Sequence, residues 1–152
     1  MSDVSEDYLG WLKSPASEYI LSSASTQTLT DLTAYVANLI DREDVLFLGI
    51  FEKNTHRHIG NLKYEPVDVD AGCAVMGILI GETEWQGKGV AQEVLTASAL
   101  WLARNRNIKE IILGVDIDHV QAIRAYEKIG FRTGATPYLP SSPGVHPMIW
   151  RL

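Results

Sequence analysis

The stretch Ile78-Leu-Ile-Gly-Glu-Thr-Glu-Trp-Gln-Gly-Lys-Gly-Val-Ala91 runs from an apolar strand into a glycine-rich turn and on into a helix. Such a turn aims several backbone N–H groups at one point with the positive end of a helix behind them, and a phosphate fits there. Three chemistries compete for it. A Walker A loop needs G-x-x-x-x-G-K-[ST], and Gly89 is followed by Val90 and Ala91, so that reading fails. A dinucleotide fingerprint needs G-x-G-x-x-G. Counted from Gly87, its sixth residue is Gln92, too large for close helix–strand packing, although Asp116 could imitate the acid that binds a ribose. A tight turn that only caps a helix would use the same glycines.

Other residues carry weaker chemistry. His56 and His58 flank Arg57 in a hairpin turn with no cysteines or clustered carboxylates nearby in sequence, so no metal site is expected there. Cys73 sits in an apolar strand and reads as a small core residue, because no histidine that would activate a nucleophile is evident beside it.

The elements around these residues follow from periodicity and punctuation. Tyr8, Leu9, Trp11 and Leu12 form an amphipathic helical segment ending near Pro15, and Ser22–Thr28 is a Ser/Thr-rich connection. Thr28 with Asp31 reads as a helix start, and Leu29, Leu32, Val36, Leu39 and Ile40 continue it at helical spacing. Val45–Phe51 and His58–Tyr64, with turn residues 53–56 between them, make a hairpin. Pro66–Asp70 is a connection and Ala71–Ile80 a further strand. A helix from about Val90 to Asn105, a strand Glu110–Asp116, a helix Val120–Ile129 closed by Gly130 and a last strand around Met148–Trp150 follow. The order implies a mixed α/β chain forming one domain over residues 1–152.

Composition narrows the function classes. The chain is 46% hydrophobic and 21% charged, as in an ordinary globular domain. Thirteen Lys and Arg against nineteen Asp and Glu give a net charge of −6, which disfavours nucleic-acid partners, since these are held by clustered positive charge. A lone cysteine forms no internal disulfide. The N-terminus lacks a signal-peptide layout, and the longest apolar run falls short of a membrane span. The sequence therefore predicts no membrane partner and a cytoplasmic location.

The turn also satisfies the pattern Q/R-x-x-G-x-G/A, as Gln86-Gly87-Lys88-Gly89-Val90-Ala91. Ile123-Arg-Ala-Tyr-Glu-Lys-Ile-Gly-Phe131 supplies a second tract about forty residues later. With these two motifs in this order, the chain resembles the GNAT superfamily of acetyl-CoA-dependent N-acetyltransferases. It is closest in flavour to the branch holding ribosomal-protein and aminosugar N-acetyltransferases. Phe51–Gly60 and Met76–Gly81 resemble that branch's second to fourth strands, and the match spans roughly Phe47 to Gly134.

The resemblance implies an α/β (α+β) fold: a mixed, mostly antiparallel sheet flanked by helices, with splayed central strands. It implies acetyl-CoA as co-substrate. The pyrophosphate would lie on the backbone of Gln86, Gly87, Lys88, Gly89, Val90 and Ala91, and the pantetheine arm along Ile78, Leu79 and Ile80 like an added strand. The N–H near Leu79 would face the thioester oxygen. Tyr126 stands where relatives often have the tyrosine that protonates the departing thiolate; the alternative is a tyrosine packed on the sheet. His119 stands where many relatives contact the pantetheine or the acceptor, or is a plain loop histidine. Glu82 and Glu84 are candidate bases alongside a water chain or a backbone carbonyl, because an amine of pKa ~10 arrives protonated.

The chain departs from the family at its start, where the usual first strand is missing. The Val45–Phe51 strand is then expected to be an exposed edge, covered by another segment or by a partner chain in a homodimer. The activity implied is direct transfer to a primary amine, on a small molecule or a peptide N-terminus. An acyl-CoA-binding sensory module and a dinucleotide-binding oxidoreductase remain the alternatives.

Overall fold

The computed structural model of the chain describes residues 4–14 and 28–152. Helix α1 (Glu6–Lys13) starts at Ser5, whose hydroxyl accepts the Tyr8 N–H at 3.2 Å, and it buries Tyr8, Leu9, Trp11 and Leu12. The helix ends at Lys13 with Ser14 as its C-cap, close to the stop expected near Pro15, while all of the Ser22–Thr28 connection except Thr28 lies outside the described residues. Helix α2 (Leu29–Ile40) opens on a capping box. Thr28 Oγ1 accepts the Asp31 N–H at 3.1 Å, and Asp31 Oδ2 accepts the Thr28 N–H at 3.0 Å. Helical spacing then places Leu32, Val36 and Leu39 on its buried face.

Strands β1 (Leu46–Phe51) and β2 (His58–Asp68) form the expected hairpin. Where the sequence predicts a connection at Pro66–Asp70, β2 continues to Asp68 instead. Burial of Val67 prolongs the strand, and Asp68 Oδ1 caps the Ala71 N–H at 2.8 Å, which holds the reversal to residues 69–72. Strand β3 (Cys73–Ile80) leads through a 3₁₀ turn (Thr83–Trp85) to helix α3 (Val90–Arg106). Strand β4 (Glu110–Asp116), helix α4 (Val120–Ile129), the two-residue strand β5 (Arg132–Thr133) and strand β6 (Val145–Arg151) complete the order. β5 was not expected, because two exposed residues carry no periodicity.

The strands form one mixed sheet in the order β1-β2-β3-β4-β6-β5. β4 and β6 pair antiparallel along their whole length, from Glu110 with Arg151 to Asp116 with Val145. β3 and β4 pair in parallel over Cys73–Val75 and Glu110–Ile112 only, although the strands run on to Ile80 and Asp116. Among the described residues no strand precedes α1 or α2, and β1 ends the sheet with Leu48 and Phe51 exposed.

The chain packs as two units, and β2 and β3 each contribute to both. The first holds residues up to Tyr64 and Gly77–Val90. Its core joins Tyr8, Leu9, Trp11, Leu12, Leu32, Val36 and Leu79, with Leu29, Tyr35 and Phe47 at its margin. The second holds Glu65–Met76 and Ala91–Leu152. It buries Leu95, Ala99 and Leu102 of α3, Ile111 and Leu113 of β4, Phe131 and Met148.

Candidate active site

The first unit holds Ile78, Leu79, Ile80 and the turn through Val90. Leu79 points its side chain into the core, so any role in chemistry falls to its backbone. The end of β3 is clamped tightly. Ile59 O accepts the N–H groups of both Gly81 (2.9 Å) and Glu82 (3.3 Å). A Cβ on Gly60 would lie 2.3 Å from Leu79 O, and one on Gly81 would lie 2.0 Å from the Trp11 ring. Both glycines are required for this close approach of strand to strand and helix to strand.

Past the 3₁₀ turn, the Gln86 side chain folds back, and its Nε2 donates to Ile80 O at 2.9 Å. The Gln86 N–H donates to Thr83 O at 3.2 Å. Gln86 therefore braces the turn, and the free donors begin at the next residue. Gly87 and Gly89 adopt φ of +70° and +81°, and a Cβ on either would meet nothing within 4 Å. Among the described residues the N–H groups of Gly87, Lys88 and Gly89 make no backbone hydrogen bond, and the first-turn N–H groups of α3 follow them. The result is an exposed run of donors at the positive end of a 17-residue helix, where an anion would be favoured. Lys88 Nζ lies over the Trp85 ring, 5.4 Å from its centre.

Ala91, His119 and Tyr126 belong to the second unit. His119 is the exposed N-cap residue of α4. Tyr126 is half-buried, with its ring edge-on to Phe131 at 5.6 Å. Burial pushes its phenol pKa up, so the hydroxyl keeps its proton. Gly130, at φ +129°, ends α4 by donating to the carbonyls of Tyr126 (3.1 Å) and Glu127 (3.2 Å).

The carboxylates considered as bases are already engaged. Glu82 accepts from Trp11 Nε1 at 3.0 Å and pairs with Arg57 Nη2, while Arg57 Nη1 holds Glu84 at 2.6 Å. The Trp11 and Arg57 contacts had no signal in the sequence, because the partners lie 71, 25 and 27 residues apart. Cys73 is buried, as its apolar strand implies. Among the described residues no three His, Cys, Asp or Glu side chains converge as metal ligands would.

Comparison with known proteins places this geometry. The model of the acetyltransferase (GNAT) domain matches residues 2–132. The chain belongs to the GNAT family. It is 34% identical over 67 residues to N-alpha-acetyltransferase 30 of Schizosaccharomyces pombe, an overlap of 42% of this chain and 44% of that protein. The match thus spans less than half the length of that relative. Among solved structures it is similar to a chimera of spermidine N-acetyltransferase SpeG from Vibrio cholerae and hSSAT. The TM-score is 0.81 at 17% identity, covering 99% of this chain and 90% of that one. A domain from Methanocaldococcus jannaschii gives a TM-score of 0.74 at 17% identity, covering 95% and 90%. These likenesses carry the GNAT fold: mixed α/β with a mostly antiparallel sheet.

Proposed function

We propose that this GNAT chain transfers an acetyl group from acetyl-CoA to a primary amine, on a peptide N-terminus or on a small molecule such as a polyamine. The observation that carries the reading is the turn at Gly87–Gly89, with two left-handed glycines, unpaired N–H groups and open space at the start of α3. That is what a pyrophosphate needs. The N–H groups of Gly87, Lys88, Gly89, Val90 and Ala91 take the phosphates, and Gln86 holds the turn to β3.

The pantetheine amides add along Ile78–Ile80, beyond the three-residue ladder of β3 with β4. The Leu79 N–H faces the thioester oxygen and stabilises charge developing there. His119 contacts the pantetheine or the acceptor, and Tyr126 donates the proton that leaves with the CoA thiol. The amine attacks acetyl-CoA directly, without an acyl-enzyme, which agrees with Cys73 being buried.

Calorimetry with acetyl-CoA and NAD, followed by CoA thiol release with a methionine-initiated peptide and with spermidine, tests the reading. Acetyl-CoA binding with thiol release is expected. NAD binding in its place, or acetyl-CoA binding without release across an amine panel, would overturn it. The exposed β1 edge further supports a homodimer, checked by sedimentation at several concentrations.

A further inference from the structure

The end of α4 away from His119, about 15 Å along a ten-residue helix, meets a cavity of ≈180 Å³. Gly130, Arg132, Thr133, Gly134, Ile149 and Arg151 line it. All six belong to the second unit, and none is part of the glycine turn.

The strand register sets the two arginines side by side. Arg132 of β5 faces Ile149 of β6. Arg151 lies two residues further along β6, so it shares a face with Ile149 and is the diagonal neighbour of Arg132. Long side chains at such positions reach one another, and a pair that stabilises a sheet carries opposite charges. Here both are cations, in a chain whose net charge is −6.

The fold itself uses little of this charge. Arg132 Nη1 donates to the carbonyls of Phe131 (2.7 Å) and Glu127 (2.9 Å), which caps the end of α4 and fixes the guanidinium. That occupies one nitrogen of three. Among the described residues Nε and Nη2 have no partner, and no carboxylate pairs with Arg132. Arg151 Nε donates to Glu110 at 3.0 Å, but its side chain is 82% exposed, so water weakens the pair. Both of its Nη groups stay without a partner among the described residues.

The lining beside the arginines is kept small. A Cβ on Gly130 would lie 2.7 Å from Trp150 Nε1, and one on Gly134 would lie 2.9 Å from Ile149 Cδ1, so packing keeps both positions bare. Thr133 brings a hydroxyl, placed 2.9 Å from His146 Nε2. A guanidinium fork matches an oxyanion bidentately. A carboxylate offers one charge and two oxygens, whereas a phosphate monoester carries about −1.5 to −2 near neutrality and three free oxygens. Two forks fit the second. The cavity is also smaller than the ~300–1,000 Å³ of pockets that hold drug-sized ligands, so it suits a compact group.

We propose that this cavity is an anion site separate from the glycine turn, binding the phosphate group of a small solute between Arg132 and Arg151. Inorganic phosphate is the probe, titrated into the full chain in the presence of excess CoA. Proton–nitrogen NMR spectra follow the Nε–H groups of both arginines and the Gly134 amide. Saturable shifts at these positions with phosphate, and weaker binding of acetate at equal ionic strength, are expected. Arg151→Gln, an exposed change outside the helix cap, should fold as wild type does and bind phosphate ~10-fold or more weakly. Arg132→Gln should weaken it as much, and where loss of the cap unfolds that variant, Arg151→Gln decides alone.

Phosphate affinity within about twofold of wild type in Arg151→Gln overturns the inference. So do shifts that chloride reproduces at the same ionic strength, or acetate binding as tightly as phosphate. A chain that binds no CoA would count against the acetyltransferase reading only, since the arginine resonances report this cavity by themselves.

Discussion

Tyr126 separates into a ring that packs on Phe131 and a hydroxyl with no hydrogen bond among the described residues. Tyr126→Phe keeps the first and deletes the second. Turnover should fall by ~10²-fold, the low end for positioned acid catalysis, since a thiolate is already a fair leaving group. Unfolding midpoint and acetyl-CoA affinity should barely move. An unchanged kcat in the Phe variant, with stability lost in Tyr126→Ala, would assign Tyr126 to packing alone. Because burial raises the phenol pKa, the acid form persists to above the ordinary value of ~10, and Tyr126 should contribute no alkaline limb below it. Gly89 offers a second separation. With φ +81° and open space around a Cβ, Gly89→Val is harmed by its backbone, whereas Asn tolerates this conformation. Gly89→Asn should therefore fold normally and still weaken acetyl-CoA binding, because its side chain fills the cradle. Calorimetry on both variants checks this, and full affinity in the Asn variant would remove the phosphate from that space.

At the level of elements, the end of β3 is held by contacts that a single substitution can probe. A Cβ at Gly81 would lie 2.0 Å from the Trp11 ring and 2.5 Å from another of its atoms, so Gly81→Ala must displace α1 or the strand. Overpacking of this kind costs ~1–3 kcal/mol. In a double-mutant cycle with Trp11→Ala the two changes should couple by ~0.5–3 kcal/mol, because removing the indole removes the clash. Strict additivity in urea unfolding would mean that α1 does not bear on β3. The cycle also marks what the sequence could convey. α2 was legible to the residue because Thr28, Asp31 and the Leu32–Val36–Leu39 spacing are local. The glycine turn and Gly130 were legible because only particular residues adopt those backbone angles. Trp11 on Gly81, Arg57 on Glu82 and His58 on Asn61 were not, because the first two join residues far apart in sequence and the third depends on a bulge that no local pattern announces. The same gap left Pro66 outside its strand, although the strand's start at His58 was legible.

For the molecule as a whole, the titrating groups with displaced pKa values set a window of stability. Asp68 is held low first by the Ala71 N–H and then by the Tyr138 hydroxyl, which donates at 2.8 Å. Glu52 is held low by Thr55 and Asn54, and Asp44 by Arg42. For a carboxyl lowered by folding, the contribution is complete above its unfolded pKa of ~4 and is lost as pH falls through the folded value. At the other end, burial raises the phenols of Tyr8 and Tyr126, and hydrogen bonds to Cys73 and Asp68 raise that of Tyr138. The unfolded chain then gives up protons that the folded chain retains, so the contribution of these phenols is complete below their unfolded pKa of ~10 and is lost as pH rises beyond it, and the raised thiol of buried Cys73 starts the decline slightly earlier. The two edges should differ in steepness. The carboxylates lie at or near the surface, where solvent screens them, whereas Tyr8 sits inside the core of the first unit. Urea midpoints measured across pH should therefore show a plateau from about pH 5 to about pH 9, a shallow acid fall and a sharper alkaline one. Tyr8→Phe keeps the ring against Trp11 and His58 and removes the titrating hydroxyl, so it should blunt the alkaline fall while leaving the acid edge in place. An alkaline edge that is unchanged in that variant would show that Tyr8 ionisation does not set it.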